Sequence, residues 1–394
     1  MNVGERIILL VFIVCVAFIF YSYVIFPWIL RILSSLRKKR DDLSPEGAVS
    51  YVSILIPVFN EGNVIGQKIQ SVLDATHPSD KLEILVGSDA SDDHTADEVR
   101  RLAGKHACIR LIEFSQRRGK PAVVNDLVRE ARHELLLLTD ANVFFEKSVI
   151  ERLLRPFEDP VVGLVGANIL GRAVRADGIS LQEQGYLARE NVIKQQEGEL
   201  WGCMMGPFGG CYAIRKKLYV PIPVQNLVDD FFVCMKVIGQ NYKAINLLDA
   251  ICYEDISNDI WQEYRRKARI SAGNFQNLAI FKSFLLRPFS PAGFCFISHK
   301  VLRWFTPFLI LLSLIALAKL ASTHVLYAWL LTAEVLLLFT PLFDALLRKR
   351  GIHLGVLRYA AYFILMNIAL LQGFFRYLNG IKSGVWTPTK RVEE

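Results

Sequence analysis

The sequence lacks the residue patterns of a disulfide-bonded or zinc-binding protein. Its 394 residues include seven cysteines, an odd number, and no two of them form a CxxC pair. The seven histidines contain no HExxH motif and do not cluster with the cysteines. Because disulfide frameworks and zinc sites depend on paired ligands at short spacings, both classes are excluded. The cysteine usage is typical of a reduced compartment.

The chain also lacks an acidic balance, since 46 lysines and arginines outnumber 38 acidic residues and give a net charge of +8. A basic balance favours nucleic acid, anionic lipid or phosphorylated ligands as partners. Much of this charge lies beside apolar runs, as in RILSSLRKKR (31–40) and LLRKR (346–350). The basic residues are not interleaved with aromatic residues on one domain face, so the pattern excludes nucleic-acid binding and favours a membrane surface.

Hydrophobic residues make up 52% of the chain, and many of them lie in long runs. Residues 7–30 are almost wholly apolar, which is long enough to cross a bilayer as one helix. A signal peptide is the alternative, but its basic residues would precede a shorter apolar core, whereas here RKKR follows the run. We therefore expect a retained anchor with this basic cluster on the cytoplasmic side of the plasma (inner) membrane.

Three further apolar stretches, 302–319, 325–346 and 356–375, predict membrane helices. Residues 281–300 mix Phe and Leu with Lys and Arg, which fits an interfacial helix or, as an alternative, an amphipathic core helix. Four spans would leave the C-terminus outside, but its basic tail favours the inside, so the number of spans stays open. The predicted domains are an anchor (1–31), a linker (32–50), an α/β domain (51–280), an interfacial segment (281–300), C-terminal membrane helices (301–378) and a basic tail (379–394).

Apolar runs alternate with helix-like segments in the predicted α/β domain. The runs YVSILIPVF, KLEILVGSD, CIRLIEF and ELLLLTD predict strands, and segments 62–75, 93–104 and 120–132 predict helices between them. This order predicts a mostly parallel sheet with helices on both faces. Ligands of such sheets bind at the carboxyl ends of the strands. Those ends carry Asn60 with Glu61, Asp89, and Asp140 with Asn142.

Four consecutive leucines lead through Thr139 into Asp140, and Asn142 follows two residues later. An ionised carboxylate beside a core is costly unless something pairs with it. Asp and Asn are common turn formers, so a plain turn is the simplest interpretation of TDAN taken alone. The neighbouring motifs favour a binding site instead.

Taken in order, these motifs resemble family 2 glycosyltransferases, which are inverting enzymes with a GT-A fold. The nucleotide-sugar half of that family is similar to VSILIPVFNEGNVIGQKIQSVL, VGSDASDDHT, RRGKPAVVN and LLLLTDANVFF. Its acceptor half is similar to GGCYAIRKKL (209–218), VDDFFV (228–233) and RKARISAGNF (266–275). The resemblance spans residues 50–280 and, with the membrane helices that follow, is strongest to the membrane-integrated branch that includes chitin, hyaluronan, cellulose and poly-N-acetylglucosamine synthases.

The resemblance implies a nucleotide-sugar donor and a divalent cation, Mg²⁺ or Mn²⁺. Asp140 and Asn142 match the first and third positions of the family's DxD motif, which hold the metal; the asparagine is a departure and provides a weaker, neutral ligand. Asp89 matches the carboxylate that contacts the base and ribose, and Lys120 matches a lysine that contacts phosphate. The other donor-binding positions implied by the matching motifs are Pro57, Asn60, Glu61 and Asn125.

Each of these assignments has a structural alternative. The SDASDD loop is also suited to capping a helix through Ser91 or Asp92. Glu61 is also a favourable first-turn acid for a helix dipole. Lys120 follows QRRG, so a solvated basic turn is the alternative there.

The family's acidic pair matches Asp229 and Asp230, and the second member is its catalytic base. An inverting transferase needs one carboxylate to take the proton of the acceptor hydroxyl, because no covalent intermediate forms. The resemblance therefore implies that Asp230 is the base and that Asp229 orients it or positions the donor. An N-cap pair at the start of the helix FFVCMKVIG is the alternative.

The last motif departs most from the family, whose processive members carry QxxRW. Arg269 keeps the arginine, which would contact the diphosphate, but Ile270 replaces the tryptophan. The resemblance thus implies a membrane-bound transfer from a nucleotide sugar, a UDP-sugar above all, to a growing polysaccharide or a lipid-linked saccharide. A single addition to a lipid-linked acceptor is the first alternative, and a non-catalytic membrane scaffold is the second. Secretion of a polymer would call for a homo-oligomer or an export partner.

Overall fold

The computed structural model describes residues 2–37, 50–172, 179–255 and 257–381. The chain forms two compact units. The helical unit contains Met1–Arg31, Arg175–Glu183 and Ser257–Gly380. The sheet unit contains Ile32–Val174, Gln184–Ile256 and Ile381–Glu394.

The sheet unit is built on one eight-stranded sheet with the order β3-β2-β1-β4-β7-β6-β8-β5. Strands β3, β2, β1 and β4 are parallel to one another, and β6 is parallel to β8. Strand β7 is antiparallel to both β4 and β6, and β5 is antiparallel to β8. The strands are β1 (Val52–Val58), β2 (Leu82–Asp89), β3 (Ile109–Phe114), β4 (Leu135–Thr139), β5 (Val143–Phe145), β6 (Val162–Arg172), β7 (Cys211–Arg215) and β8 (Lys243–Asp255).

Fourteen α-helices occur among the described residues. They are α1 (Val3–Phe20), α2 (Phe26–Leu36), α3 (Gly62–Leu73), α4 (Thr95–Ala103), α5 (Lys120–Glu130), α6 (Val149–Leu154), α7 (Ser180–Trp201), α8 (Asp229–Gly239), α9 (Ile260–Ile280), α10 (Pro291–Cys295), α11 (Leu302–Leu320), α12 (Val325–Leu338), α13 (Thr340–Lys349) and α14 (Gly355–Leu378).

The central strands are apolar because both of their faces are covered. Every residue of β1, β2 and β4 is buried, as expected for parallel strands between two helical layers. The four strands and three helices predicted from the periodicity all form, within a few residues of the predicted limits. Gly87 in β2 has a packing role, since a Cβ there would lie 2.6 Å from Val123 Cγ1 of α5. The missing side chain thus lets α5 approach the sheet closely.

The helical unit contains helices long and apolar enough to cross a membrane. Among the described residues there are three, Val3–Leu36, Pro291–Leu320 and Gly355–Leu378, and a fourth if the bent pair Val325–Leu338 and Thr340–Lys349 counts as one span. This pair bends by 49°. The end of the predicted interfacial segment, from Pro291, is continuous with the helix that contains the predicted span 302–319.

The exposed side chains of α12 are large and apolar. Val325, Leu326 and Trp329 are between 54% and 68% exposed, and α12 has no buried residue. Large contiguous apolar surfaces are unusual on proteins surrounded by water alone.

Charged residues of the helical unit meet in a buried network between the start of α7 and the first turns of α9. Glu183 and Glu263 are almost fully buried, and each lies within 3.3 Å of Arg266 and Lys267 nitrogen atoms. The Tyr362 hydroxyl of α14 donates to Glu183. Burial alone would raise the pKa of Glu263, but the charges of Arg266 and Lys267 outweigh it and lower that pKa to about 2. Mutual pairing therefore allows these charges to be buried.

Candidate functional site

The turn between β4 and β5 carries two of the predicted site residues. The Asp140 main-chain N–H donates to the Gly210 carbonyl at 3.1 Å, which attaches the turn to the glycine pair before β7. Asn142 Nδ2 donates to Glu254 Oε1 of β8 at 3.0 Å. This bond orients the amide, with its nitrogen toward Glu254. Both residues thus occupy the carboxyl-end edge of β4, where the strand order predicts ligands.

Lys120 links this turn to the acidic pair. Its Nζ lies 2.6 Å from Asp140 Oδ1 and 3.8 Å from Asp229 Oδ2. Burial alone lowers the pKa of a lysine, but the charges of Asp140 and Asp229 outweigh that effect and raise the pKa of Lys120 above its usual value. Lys120 is therefore a permanent cation between two predicted functional carboxylates, and a solvated basic turn does not describe it.

Asp229 and Asp230 are the first two residues of α8. Val228 occupies the N-cap position, and no side chain caps the helix there, so the N-cap alternative does not describe this pair. The Asp230 carboxylate accepts a hydrogen bond from the Phe231 main-chain N–H at 2.8 Å. Burial, reinforced by the charge of Asp229, raises the pKa of Asp230 to about 6. Asp230 is thus suited to exchanging a proton near neutral pH.

The glycine pair Gly209–Gly210 leaves room for the acidic pair. A Cβ on Gly209 would lie 3.1 Å from Asp230 Oδ2, and a Cβ on Gly210 would lie 2.7 Å from Ile169 Cδ1 and 2.8 Å from Val143 Cγ2. A side chain at Gly209 would need Asp230 to move by a few tenths of an ångström. The absence of a side chain here keeps the Asp230 carboxylate in its position.

Asp89 has main-chain partners that sequence reasoning did not anticipate. Its side chain is fully buried, and its two carboxylate oxygens accept hydrogen bonds from the Arg118 and Gly119 N–H groups, both at 2.8 Å. Gly119 has a φ of +87°, which favours glycine, and the next residue is Lys120. In this structure Asp89 therefore shapes the turn that presents Lys120. Its contact with a nucleotide stays a prediction.

Asn60 and Glu61 lie at the carboxyl end of β1 and contact the loop after β2. Asn60 has a φ of +54°, and its amide exchanges hydrogen bonds with Asp92, donating to Oδ1 at 2.6 Å and accepting from the N–H at 3.1 Å. The Glu61 N–H donates to Thr95 Oγ1 at 2.9 Å. Pro57 is buried within β1, one residue before its end. These hydrogen bonds join the carboxyl end of β1 to the loop after β2. Asp92 binds Asn60 and does not cap α4.

Asn125 connects α5 with the segment after β7. Its Oδ1 accepts from the Tyr219 hydroxyl at 2.7 Å and from the Ile222 N–H at 2.8 Å, and its Nδ2 donates to the Ile222 carbonyl at 2.9 Å. The amide is thus used in holding residues 219–222 in this structure. Its predicted contact with the donor stays a prediction.

Two site-related residues fall outside this group or were not assigned a role. Arg269 belongs to α9 of the helical unit, so its predicted contact with a diphosphate stays a prediction. By its resemblance to the family, the sequence places Glu254 at a position where relatives carry an acid, without giving it a role. Its contact with Asn142 joins residues 112 positions apart and depends on the pairing of β5 with β8, which local patterns do not encode.

The side-chain oxygens of the turn are suited to a hard divalent cation that is also coordinated by a bound phosphate ligand. Within the described ranges no group of three or more His, Cys, Asp or Glu side chains is arranged to hold a metal ion. Asp140 offers a carboxylate and Asn142 an amide oxygen, both of which Mg²⁺ and Mn²⁺ accept. A pair of oxygen ligands is insufficient alone but is suited to an ion that phosphate oxygens also coordinate.

Comparisons with known proteins show which families this chain resembles. Residues 53–219 match the model of the family described as glycosyl transferase family 2. A poly-beta-1,6-N-acetyl-D-glucosamine synthase from Staphylococcus epidermidis is 25% identical over 235 residues, which are 58% of this chain and 56% of the relative. A dolichyl-phosphate beta-glucosyltransferase from Trichomonas vaginalis is 33% identical over 102 residues, 23% of this chain and 29% of the relative. The matches cover between 25% and 56% of the length of the first curated relatives.

A solved structure shares the fold over most of the chain. The mannosyltransferase PcManGT from Pyrobaculum calidifontis, in complex with GDP-Man and Mn²⁺, superposes with a TM-score of 0.71 at 22% sequence identity. The superposition covers 93% of this chain and 99% of that one. The predicted fold class, an α/β domain of the GT-A type together with helices apolar enough to span a membrane, is confirmed.

Proposed function

We propose, from the match of residues 53–219 to the glycosyl transferase family 2 model, that this chain is a membrane-bound inverting transferase. It moves a sugar from a nucleotide-sugar donor, a UDP-sugar in the first instance, to a growing polysaccharide or a lipid-linked saccharide. The observation that supports this best is the position of Lys120, whose Nζ is 2.6 Å from Asp140 and 3.8 Å from Asp229. One lysine thereby lies between the Asp140–Asn142 turn, which is proposed to hold the metal, and the acidic pair Asp229 and Asp230.

The donor-side residues serve to hold the diphosphate. Asp140 and Asn142 would hold Mg²⁺ or Mn²⁺, which supplies positive charge to the diphosphate as it leaves. Lys120 adds a second positive charge that is fixed in place by two carboxylates before the donor binds. Fixed charges of this kind stabilise a developing negative charge without reorganisation. The assignment of Asp89, Asn60, Glu61, Pro57 and Asn125 to the donor is part of this proposal.

Asp230 serves as the base. The acceptor oxygen bonds to the anomeric carbon while the carbon–oxygen bond to the diphosphate breaks, and the bonding electrons leave with the diphosphate. The proton of the acceptor hydroxyl passes to the Asp230 carboxylate. The raised pKa of Asp230, about 6, makes it a stronger base than an ordinary aspartate while leaving it mostly ionised at neutral pH. Asp229 keeps that pKa high through its charge.

The membrane placement is proposed from the apolar helices and the basic clusters beside them. The chain would be an integral protein of the plasma (inner) membrane with its catalytic domain in the cytoplasm, where nucleotide sugars are available. With up to four candidate spans among the described residues, export of a polymer would require a second copy or a partner. A single addition to a lipid-linked acceptor is the second candidate, because Ile270 follows Arg269 where processive relatives have tryptophan.

The decisive experiment measures nucleoside diphosphate release from membrane vesicles that contain the protein. UDP- and GDP-sugars are supplied one at a time with Mg²⁺ or Mn²⁺ and a lipid extract as acceptor. We expect release with one donor, abolished by a chelator and by Asp230→Asn. Asp249→Asn is the matched control, because Asp249 is 60% exposed and pairs only with Arg152 among the ion pairs of the described residues. Absence of release with every donor would favour a non-catalytic scaffold.

A further inference from the structure

Lys68 is a lysine on the buried face of α3. It lies three residues after Ile65 and four before Val72, so helical periodicity places it on the side that faces the core. Its side chain is fully buried. Full burial is rare for lysine and requires partners for the ammonium group.

The Lys68 ammonium group contacts the strand residues on both sides of the turn between β4 and β5. Nζ donates to Thr139 Oγ1 at 2.9 Å and to the Val143 carbonyl, and it lies 3.5 Å from the centroid of the Phe145 ring. Burial lowers the pKa of Lys68 to about 8, so the ammonium form predominates at neutral pH. Thr139 immediately precedes Asp140 and Val143 immediately follows Asn142. Lys68 therefore binds both ends of the turn that carries Asp140 and Asn142, the two residues proposed to hold the metal.

The hydrogen bonds continue from Thr139 to the glycine pair. Thr139 Oγ1 donates to the Gly210 carbonyl at 2.8 Å, and the Asp140 N–H donates to the same carbonyl at 3.1 Å. The preceding residue, Gly209, faces Asp230, since a Cβ built on Gly209 would lie 3.1 Å from Asp230 Oδ2. A continuous path thus runs from Lys68 through Thr139 and Gly210 to the proposed base.

We propose that Lys68 is a positioning residue that, through Thr139, holds the Asp140–Asn142 turn and the Gly209–Gly210 loop at a fixed separation. This inference rests on the proposed function, because the separation matters for bringing the diphosphate and the acceptor hydroxyl together. Lys120 contacts the Asp140 carboxylate itself, whereas Lys68 donates hydrogen bonds to Thr139 and Val143, the residues on either side of the turn. Residues that orient ligand-bearing groups from outside affect metal affinity by roughly ten- to a hundredfold when removed.

The test compares Lys68→Met with Lys243→Met in the full chain in detergent. Lys243 is at the start of β8, 3.4 Å from Asp159, at the opposite end of that strand from Glu254. Amide hydrogen exchange is measured in residues 139–145 and 209–211 without ligand. We expect exchange there to accelerate about tenfold in Lys68→Met and to be unchanged in Lys243→Met.

Binding supplies a second readout. Titration with Mn²⁺ and a nucleoside diphosphate is expected to give a dissociation constant about tenfold higher for Lys68→Met than for the wild type. Thr139→Val removes the linking hydroxyl and Thr139→Ser retains it. The valine variant should reproduce the effect and the serine variant should restore the wild-type values. This pair carries the test if Lys68→Met does not fold.

The outcomes separate the two proposals. Unchanged exchange in the turn and in the glycine pair, for both Lys68→Met and Thr139→Val, would overturn the role of Lys68. Normal Mn²⁺-nucleotide binding by Lys68→Met together with normal exchange would do the same while leaving the proposed function intact. A wild-type protein that binds no nucleotide would overturn the proposed function, and the exchange comparison would still decide on Lys68.

Discussion

Lys120 Nζ lies 2.6 Å from Asp140 Oδ1, so a lysine occupies the carboxylate that is proposed to contact the metal before any donor arrives. Lys120 and a divalent cation would thus be alternative partners for Asp140, and Asp229, 3.8 Å from Nζ, would continue to hold the ammonium group beside the phosphates.

Removal of the Lys120 charge is expected to slow transfer strongly. Lys120→Met should lower kcat by about a hundredfold or more, because it deletes a fixed charge that stabilises the leaving diphosphate. Affinity for Mn²⁺ in the absence of nucleotide should rise, since the competitor for Asp140 is gone. Steady-state kinetics and metal titration together check this prediction. A variant that keeps wild-type kcat would show that Lys120 is not a phosphate contact.

The transfer rate is expected to fall on the acid side with an apparent pKa of about 6. Asp230 has to be ionised to accept a proton, and burial together with Asp229 raises its pKa to about 6. Asp229→Asn removes the neighbouring charge and should move the acid limb to lower pH. The dependence of kcat/KM on pH between 5 and 8, measured in steps of ~0.5 pH unit for the wild type and for Asp229→Asn, locates the acid limb and its displacement. An acid limb that does not respond to Asp229→Asn would argue against this pair.

Asp230→Asn is expected to inactivate the protein and to stabilise it above pH 6. A folded-state pKa raised above the unfolded value means that ionisation of Asp230 opposes folding. That penalty is absent well below the unfolded value of 3.8, grows as the pH rises, and is complete above about 6. A shift of this size corresponds to at most about 3 kcal/mol.

Thermal unfolding in detergent at pH 4 and pH 8 checks the prediction. The melting temperature of Asp230→Asn should exceed that of the wild type at pH 8, and the difference should shrink at pH 4. Asp249→Asn, at an exposed position, should show neither effect. Equal melting temperatures of Asp230→Asn and the wild type at pH 8 would contradict the prediction that ionising the buried Asp230 carboxylate destabilises the fold.

Asn142→Asp is expected to make the protein dependent on a divalent cation for stability. The new carboxylate would lie about 3 Å from Glu254, and like charges at that distance repel unless one is protonated or an ion lies between them. Without metal the melting temperature should fall, and Mn²⁺ should raise it more than in the wild type. Adding Glu254→Gln should restore the metal-free stability. A metal-free melting temperature equal to that of the wild type would show that Glu254 does not face this position.

The parts of the site that sequence reasoning could locate are those that depend on local pattern. The apolar runs of β1, β2 and β4 determine strands buried on both faces, and the rule for strand ends brings Asn60, Asp89 and Asp140 to one edge. The side-chain partners could not be located in this way. Asp89 turns inward because a loop 29 residues later folds back onto it. Lys68 looks like any helix lysine until the turn that surrounds it has formed.

Under the proposed membrane placement, the bend between α12 and α13 decides whether this helix pair counts as one crossing of the bilayer. A bent pair that passes through adds one crossing, and a bent pair that turns back adds none. In both cases α14 alone separates the loop 350–354 from residue 380, so these two points lie on opposite faces of the bilayer if α14 spans it. Whether the bent pair crosses therefore decides on which face of the bilayer the loop 350–354 lies, and residue 380 lies on the other face in both cases.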